Sequence, residues 1–190
     1  MSLTGLRGFR IVKLTEDSEG TLTYDETIKK LTGAKNIKIS PKSDTAENYG
    51  DDQLLETETA MSAIEVEIEV ADLTLEEYAL VTGYTFENGV VKETKEFKPP
   101  YIAFGFEASK SNGVASRNVW LVKGKCEPPE FEGKTKEDKV EFQSAKLKFK
   151  FMPRIHDGVS KYKADTDGTT AVTADKFFTV EFLKTGKVAA

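Results

Sequence analysis

The residues able to do chemistry are few and poorly placed for it. The chain holds one cysteine, Cys126, and one histidine, His156. A thiol nucleophile needs a base within hydrogen-bond reach, and nothing in the spacing brings these two together. Zinc sites built from three histidines or several cysteines are excluded by count. Asp51-Asp52 could ligate a metal or act as an acid/base pair, but successive side chains on extended backbone point apart. Beside Gly50 the pair reads first as a turn. Asp165-Thr166-Asp167-Gly168 resembles the opening of a calcium loop, yet Phe177 and its neighbours occupy the place of the closing glutamate. There is no GxSxG, HExxH, Walker or GxGxxG pattern. A glycosidase needs only two carboxylates, and among 32 acidic residues no spacing singles out a pair. Tyr49, Tyr84 and Tyr162 could line a sugar or peptide site but are scattered. The expectation is a protein with no catalytic, cofactor-binding or metal-binding residue.

The sharpest pattern is a pair of charge ladders. In Ile64-Glu65-Val66-Glu67-Ile68-Glu69-Val70 the glutamates share one face and the β-branched residues the other. In 146–151, Lys146, Lys148 and Lys150 alternate with Leu147, Phe149 and Phe151. Three readings stand. The ladders are solvated faces of two strands; or they are antiparallel neighbours whose opposite charges contribute ~0.2–1 kcal/mol per pair; or the glutamates mark a surface that must not hold nucleic acid, since polyanions bind through lysine and arginine.

The elements that carry these residues are mostly strands. Phe9–Leu14, 35–40 and 64–70 are strand candidates, and 177–182 reads as the last strand. Asn88-Gly89 marks a hairpin, and a second turn is placed at Asn112-Gly113. Val119-Trp120-Leu121-Val122 is apolar on both faces, so it is central or covered. A face switch is expected near Ser144, because Phe142 shares parity with the lysines. One helix follows the glutamate strand, with a Thr74/Glu77 capping box and Gly83 as its stop. Between the second and third strands lies a long polar stretch, 41–60, containing Tyr49, Asp51, Asp52 and Gln53; ordered domains rarely keep such a loop without a use. About eight strands and one helix argue for a mainly β fold: a two-sheet antiparallel sandwich or barrel with one short flanking helix.

Composition bounds the rest. The chain has 190 residues, 38% apolar and 31% charged, with twelve phenylalanines. That length buries a core without staples and reads as a single domain over 1–190. The net charge of −5 is mild and does not suggest an electrostatic nucleic-acid binder. One cysteine allows no internal disulfide and suits a reducing cytosol. The first eight residues have no apolar h-region, so no secretory leader is expected, and no apolar run reaches the ~20 residues that span a bilayer.

The order of several features resembles the major tail protein family of long-tailed bacteriophages, the subunits of the tail tube. The likeness is carried by the 35–40 strand, by Tyr49-Gly50-Asp51-Asp52-Gln53 (where Gly50 stands in place of a commoner alanine), by the strand–helix unit 65–83, and by Pro99-Pro100-Tyr101-Ile102-Ala103-Phe104-Gly105-Phe106 followed by 120–126. The resemblance implies a non-enzymatic virion subunit of tail-tube-like fold, made in the bacterial cytoplasm, that forms hexameric rings stacked into a hollow conduit. By the same likeness its partners would be further copies of itself and other tail proteins, namely the tape measure, tail terminator and distal tail protein. DNA would be passing cargo, with no membrane binding. The 41–60 segment, with Tyr49, Asp51, Asp52 and Gln53, would reach a neighbouring subunit. Glu65, Glu67 and Glu69 would face the lumen. The arm 1–8 and the tail 184–190 would be mobile in the lone subunit. A rival reading is a β-sandwich module, virion-borne or free, that binds carbohydrate or peptide; an enzyme using two carboxylates is a third.

Overall fold

The computed structural model describes residues 2–50, 53–111, 113–130 and 144–188; for 44–50 and 53–61 it describes the backbone without the side chains. In chain order the strands are β1 (Leu3–Asp17), β2 (Leu22–Tyr24), β3 (Lys29–Leu31), β4 (Ala34–Gly50) and β5 (Gln53–Val70). Then come helix α1 (Leu75–Thr82), strands β6 (Thr85–Glu87), β7 (Val90–Lys92), β8 (Ile102–Lys110), β9 (Ser116–Cys126), β10 (Ala145–Phe151) and β11 (Lys161–Asp165), and helices α2 (Ala174–Phe177) and α3 (Val180–Thr185).

Every pairing is antiparallel. The main sheet runs β2-β1-β8-β9-β10-β5-β4, and it forks twice. β3 pairs with β1 over Phe9–Ile11, and β11 pairs with the first half of β9. β10 pairs with β9 only at Gly124, Lys125 and Cys126. The expected pair of packed sheets is therefore one continuous branched sheet, accompanied by the small β6–β7 hairpin, and it is not a closed barrel. β4, at one end of this path, comes close to β1, next to the other end, without pairing with it. The sheet thus curls around an interior instead of stacking against a separate partner.

That interior collects the inward side chains of both limbs: Phe9, Ile11, Phe104 and Phe106 from β1 and β8, and Val66, Ile68, Leu147 and Phe149 from β5 and β10. Phe104 stacks on Phe149 with ring centroids 6.2 Å apart, which joins the two limbs. Two glycines make room for neighbouring aromatic rings. A Cβ on Gly124 would lie 2.5 Å from the Phe151 ring, and one on Gly105 would lie 2.7 Å from Trp120. α1 packs Val81 on the same interior. Its Thr74/Glu77 capping box and the left-handed Gly83 stop are present as expected. Asn88 (φ 52°) and Gly89 (φ 79°) form the β6–β7 turn, with positive φ at both central positions.

A second apolar cluster lies on the opposite face of β1, β8 and β9, where Val12, Ala103, Trp120 and Val122 meet Phe177, Phe178, Phe182 and Leu183. This is why 119–122 is buried on both faces. The expected strand 177–182 is helical instead. Thr179 caps α3 by accepting from the Phe182 N–H at 3.1 Å, and Gly186 (φ 67°) ends it. The aromatic run needs the period of a helix to press Phe182 and Leu183 onto the sheet, and each such buried side chain contributes roughly 1.5–3 kcal/mol. The Trp120 indole N–H donates to the Phe177 carbonyl at 3.0 Å and anchors α2.

The expected mobile segments have internal partners. From Leu3 onward the 1–8 arm is part of β1 and pairs with β8, Leu3 opposite Lys110. In the 184–190 tail, α3 extends to Thr185 and Val188 packs against the second cluster. The expected loop 41–60 is backbone of β4 and β5, except Asp51 and Asp52, which lie outside the described residues. Phe142, on which the face switch near Ser144 depended, and Asn112 of the second turn also lie outside them.

Candidate assembly surface

The antiparallel strands β4 and β5 pair from Ala34 opposite Val70 to Gly50 opposite Gln53, with irregularities at Ala34/Asn36, Pro41/Ser43 and Asn48/Tyr49. β5 has its other neighbour, β10, only from Ile64 to Val70. Beyond that, 43–50 and 53–61 pair with each other and, among the described residues, with no other strand, so a two-stranded ribbon continues past β10. At about 3.3 Å per residue, the stretch from Ser43 to Gly50 is roughly 25 Å long. A lone hairpin of this kind is marginally stable in water. Tyr49 (opposite Leu54) and Gln53 (opposite Gly50) sit at its tip.

The ribbon is also charged. Residues 43–62 hold Asp44, Glu47, Asp51, Asp52, Glu56 and Glu58 and no lysine or arginine. This one segment exceeds the net charge of −5 of the whole chain. Along its base the outer edge of β4 is unpaired among the described residues. Lys35, Lys38 and Lys42 are exposed on this strand and Pro41 removes a donor from it, two devices that discourage uncontrolled edge pairing.

The charge ladders are immediate neighbours. Lys146 faces Glu69, Lys148 faces Glu67 and Lys150 faces Glu65 across β10–β5. On the other flank Lys38 faces Glu67 across β4–β5, and Lys42 pairs with Glu65 at 3.3 Å. Lys148 reaches Glu130 at 3.1 Å, which raises its pKa, and the Ser144 hydroxyl donates to Glu69. Lys125, opposite Lys150, lies over the Tyr101 ring at 4.2 Å. The cross-strand reading of the ladders is the geometry found. The glutamate row lies between lysine rows, so the outer face of β10, β5 and β4 carries Lys38, Lys42, Lys146, Lys148 and Lys150 against Glu65, Glu67 and Glu69, with Lys125 beside them on β9. The lysines beside the glutamates are what a reading of the glutamate strand alone misses; the Ile37-Lys38-Ile39 alternation was the available signal.

Several of the other polar groups have structural partners. Cys126 is buried in the sheet interior, its thiol pushed up to about 12 by burial and then by the Glu127 charge; His156 Nδ1 instead lies 3.2 Å from the Ser18 carbonyl oxygen, in the exposed turn region. The calcium-like segment is an ion network. Asp165 accepts from Arg117 at 2.7 and 2.9 Å and pairs with Lys110 at 2.9 Å, while Asp167 accepts from Lys110 at 2.5 Å. Hydrogen bonds from Arg117 and Lys110 hold the Asp165 carboxyl well below the usual carboxylate range. Arg154, fully buried, donates to the Leu183 carbonyl (2.6 Å), the Tyr162 and Tyr24 hydroxyls (2.8 and 3.3 Å) and Asp157 (3.0 and 2.5 Å). Lys123 and Asp17 form a buried pair at 2.6 Å. Burial pushes the Asp17 carboxyl up, but N–H groups of Ile155 and His156 and the Lys123 ammonium outweigh it and hold the carboxyl below its ordinary value.

The three tyrosines considered for ligand binding belong to different parts of the fold. Tyr49 is at the ribbon tip, Tyr84 packs near Tyr78 and Phe97, and Tyr162 is in the Arg154 network. Among the described residues no group of three or more His, Cys, Asp or Glu side chains is arranged to hold a metal ion, and no helix is long and apolar enough to cross a membrane. No protein-family model matches the chain, and no curated protein matches it.

Proposed function

We propose that this protein is a structural subunit that works by assembling with copies of itself, as a tail tube subunit of a long-tailed bacteriophage. In this reading, hexameric rings stack into the conduit through which DNA passes, and the protein resides in the virion tail. The other tail proteins, namely the tape measure, tail terminator and distal tail protein, would meet the ends or the interior of that tube. The observation that carries the reading is the β4–β5 ribbon. It continues well beyond its last neighbour, β10, and it is too slight to be stable by its own contacts. A ribbon of this kind gains its cover from a neighbour, and a contact between unlike surfaces of identical chains generates rings or filaments.

The resemblance in sequence order supplies the particular assembly. The DNA-facing role expected for Glu65, Glu67 and Glu69 requires a face poor in cations, and the lysine rows beside them offer phosphate partners instead. The conduit wall is therefore left unassigned.

Negative-stain electron microscopy of concentrated protein tests the proposal. Rings or tubes are expected from the native chain, and monomers of unchanged circular dichroism from a chain lacking 48–54. A native chain that stays monomeric at high concentration overturns the proposal, and so does a deletion that polymerises normally.

A further inference from the structure

The chain separates its charges. The ribbon segment 43–62 carries six acidic residues and no basic one, while the outer face of β10, β5 and β4 carries more lysines than glutamates. On that face Lys38, Lys146 and Lys150 are exposed and make no ion pair within 4.0 Å with another described residue. They have oppositely charged neighbours across the strands but keep free positions toward solvent. α2 and α3 lie over β1, β8 and β9, not over this face.

We propose that the lysine-bearing face of one copy receives the acidic ribbon of another. This inference rests on the self-assembly reading and names the acceptor surface within it. The ribbon cannot serve its own face. It continues the two strands that carry the ladder; the pairing is irregular at Pro41/Ser43 and at Asn48/Tyr49 but resumes after each and persists to the tip, so the ribbon leads on along the strands, away from the ladder. The acceptor must then lie on a second copy. Donor and acceptor are different surfaces, so the contact repeats from copy to copy. The glutamate row sets the register: an incoming carboxylate is drawn to Lys38 on one flank or to Lys146 and Lys150 on the other, and is repelled in between. Contacts of this kind accelerate encounter, weaken with salt, and reject a partner of the wrong sign.

A charge-swap experiment tests the inference. One variant reverses the face (K146E/K148E/K150E) and a second reverses the ribbon (D44K/E47K/E56K/E58K). Assembly is followed by light scattering and electron microscopy. Each variant alone opposes like charges and is expected to need roughly a hundredfold higher concentration to assemble. An equimolar mixture offers a basic ribbon to the acidic face and an acidic ribbon to the basic face, and is expected to recover most of the loss. The three reversals also set like charges opposite Glu69, Glu67 and Glu65, so thermal melts confirm that each variant is folded. The gentler K38Q/K146Q/K150Q variant, expected to lose about tenfold, covers the case in which the reversed face does not fold.

Face variants that assemble as readily as the native chain overturn this inference and leave the self-assembly reading intact; the face then belongs to another occupant. Loss in both variants without recovery in the mixture also overturns the pairing. A native chain that never assembles removes the self-assembly reading, and this inference with it.

Discussion

Lys148 and Glu67 stand directly opposite each other across the β10–β5 pair, and Glu67 has Lys38 opposite on its other side. Each cross-strand pair contributes ~0.2–1 kcal/mol, toward the lower end for side chains this accessible to solvent. Glu67→Lys is therefore expected to lower stability by ~1 kcal/mol, because it sets three lysines in a row. Adding Lys148→Glu should recover about half of that loss. Urea denaturation of the four members of the cycle measures the coupling. Additive effects would mean that the facing residues do not interact.

Arg154 joins four parts of the chain through its hydrogen bonds to Tyr24, Asp157, Tyr162 and the Leu183 carbonyl. Removal of the guanidinium strands those groups. Arg154→Met, which keeps much of the volume, is expected to cost about 3 kcal/mol, at the low end for a broken buried pair because Asp157 is partly accessible. Limited proteolysis should then cut first around α2 and α3, which lose their tie at Leu183. A variant as stable and as resistant as the native chain would contradict the role given to this network.

Gly124 allows the Phe151 ring to lie against the β9 backbone. Gly124→Ala is expected to destabilise by ~1–3 kcal/mol through overpacking. Phe151→Leu in the same chain should relieve part of that cost, although it is itself destabilising in the native background. Denaturant midpoints of both single variants and the double variant reveal the compensation. Its absence would place the strain elsewhere.

Alkaline pH should weaken the fold in a defined window. Burial favours the neutral Cys126 thiol and the neutral Tyr24 phenol, raising both to about 12 in the folded chain. The unfolded values are about 8.5 and 10. For a folded pKa above the unfolded one, the stabilisation is complete below the unfolded value and disappears as pH rises to the folded one. The loss should start near pH 9 from Cys126 and steepen above pH 10 as Tyr24 joins, with each group approaching ~1.4 kcal/mol per pH unit. Tyr78, also raised to about 12 by burial and then by its bond to Glu93, adds to the upper part. Melting temperatures between pH 8 and 11 should fall more gently for Cys126→Ala and Tyr24→Phe than for the native chain. Parallel curves would refute the assignment.

What could be read in advance was whatever local pattern and fold agreed upon. The Glu65/Glu67/Glu69 and Lys146/Lys148/Lys150 rows announced half-buried strands, and they lie side by side. Thr74 with Glu77, Gly83 and Asn88-Gly89 behaved as their local chemistry requires. The ribbon was opaque because 43–61 has no apolar alternation, so its length and polarity read as a loop. Phe177 to Phe182 misled for the opposite reason: a run that is apolar at alternate positions fits a strand as well as two short helices, and only the Thr179 cap and the Gly186 stop separate them. The three-residue strands β2 and β3 are too short to show any period. Nothing local marks Arg154 as buried, since its partners Tyr24 and Leu183 lie far away in sequence.

The seclusion of Cys126 has a consequence for any polymer of this chain. With its only sulfhydryl walled inside each subunit, the folded copies offer no thiol for a disulfide between them, whether the surroundings are reducing or oxidising. Such a polymer would keep the same chemistry after leaving the cell that made it, and its cohesion would depend on ionic strength instead of redox state.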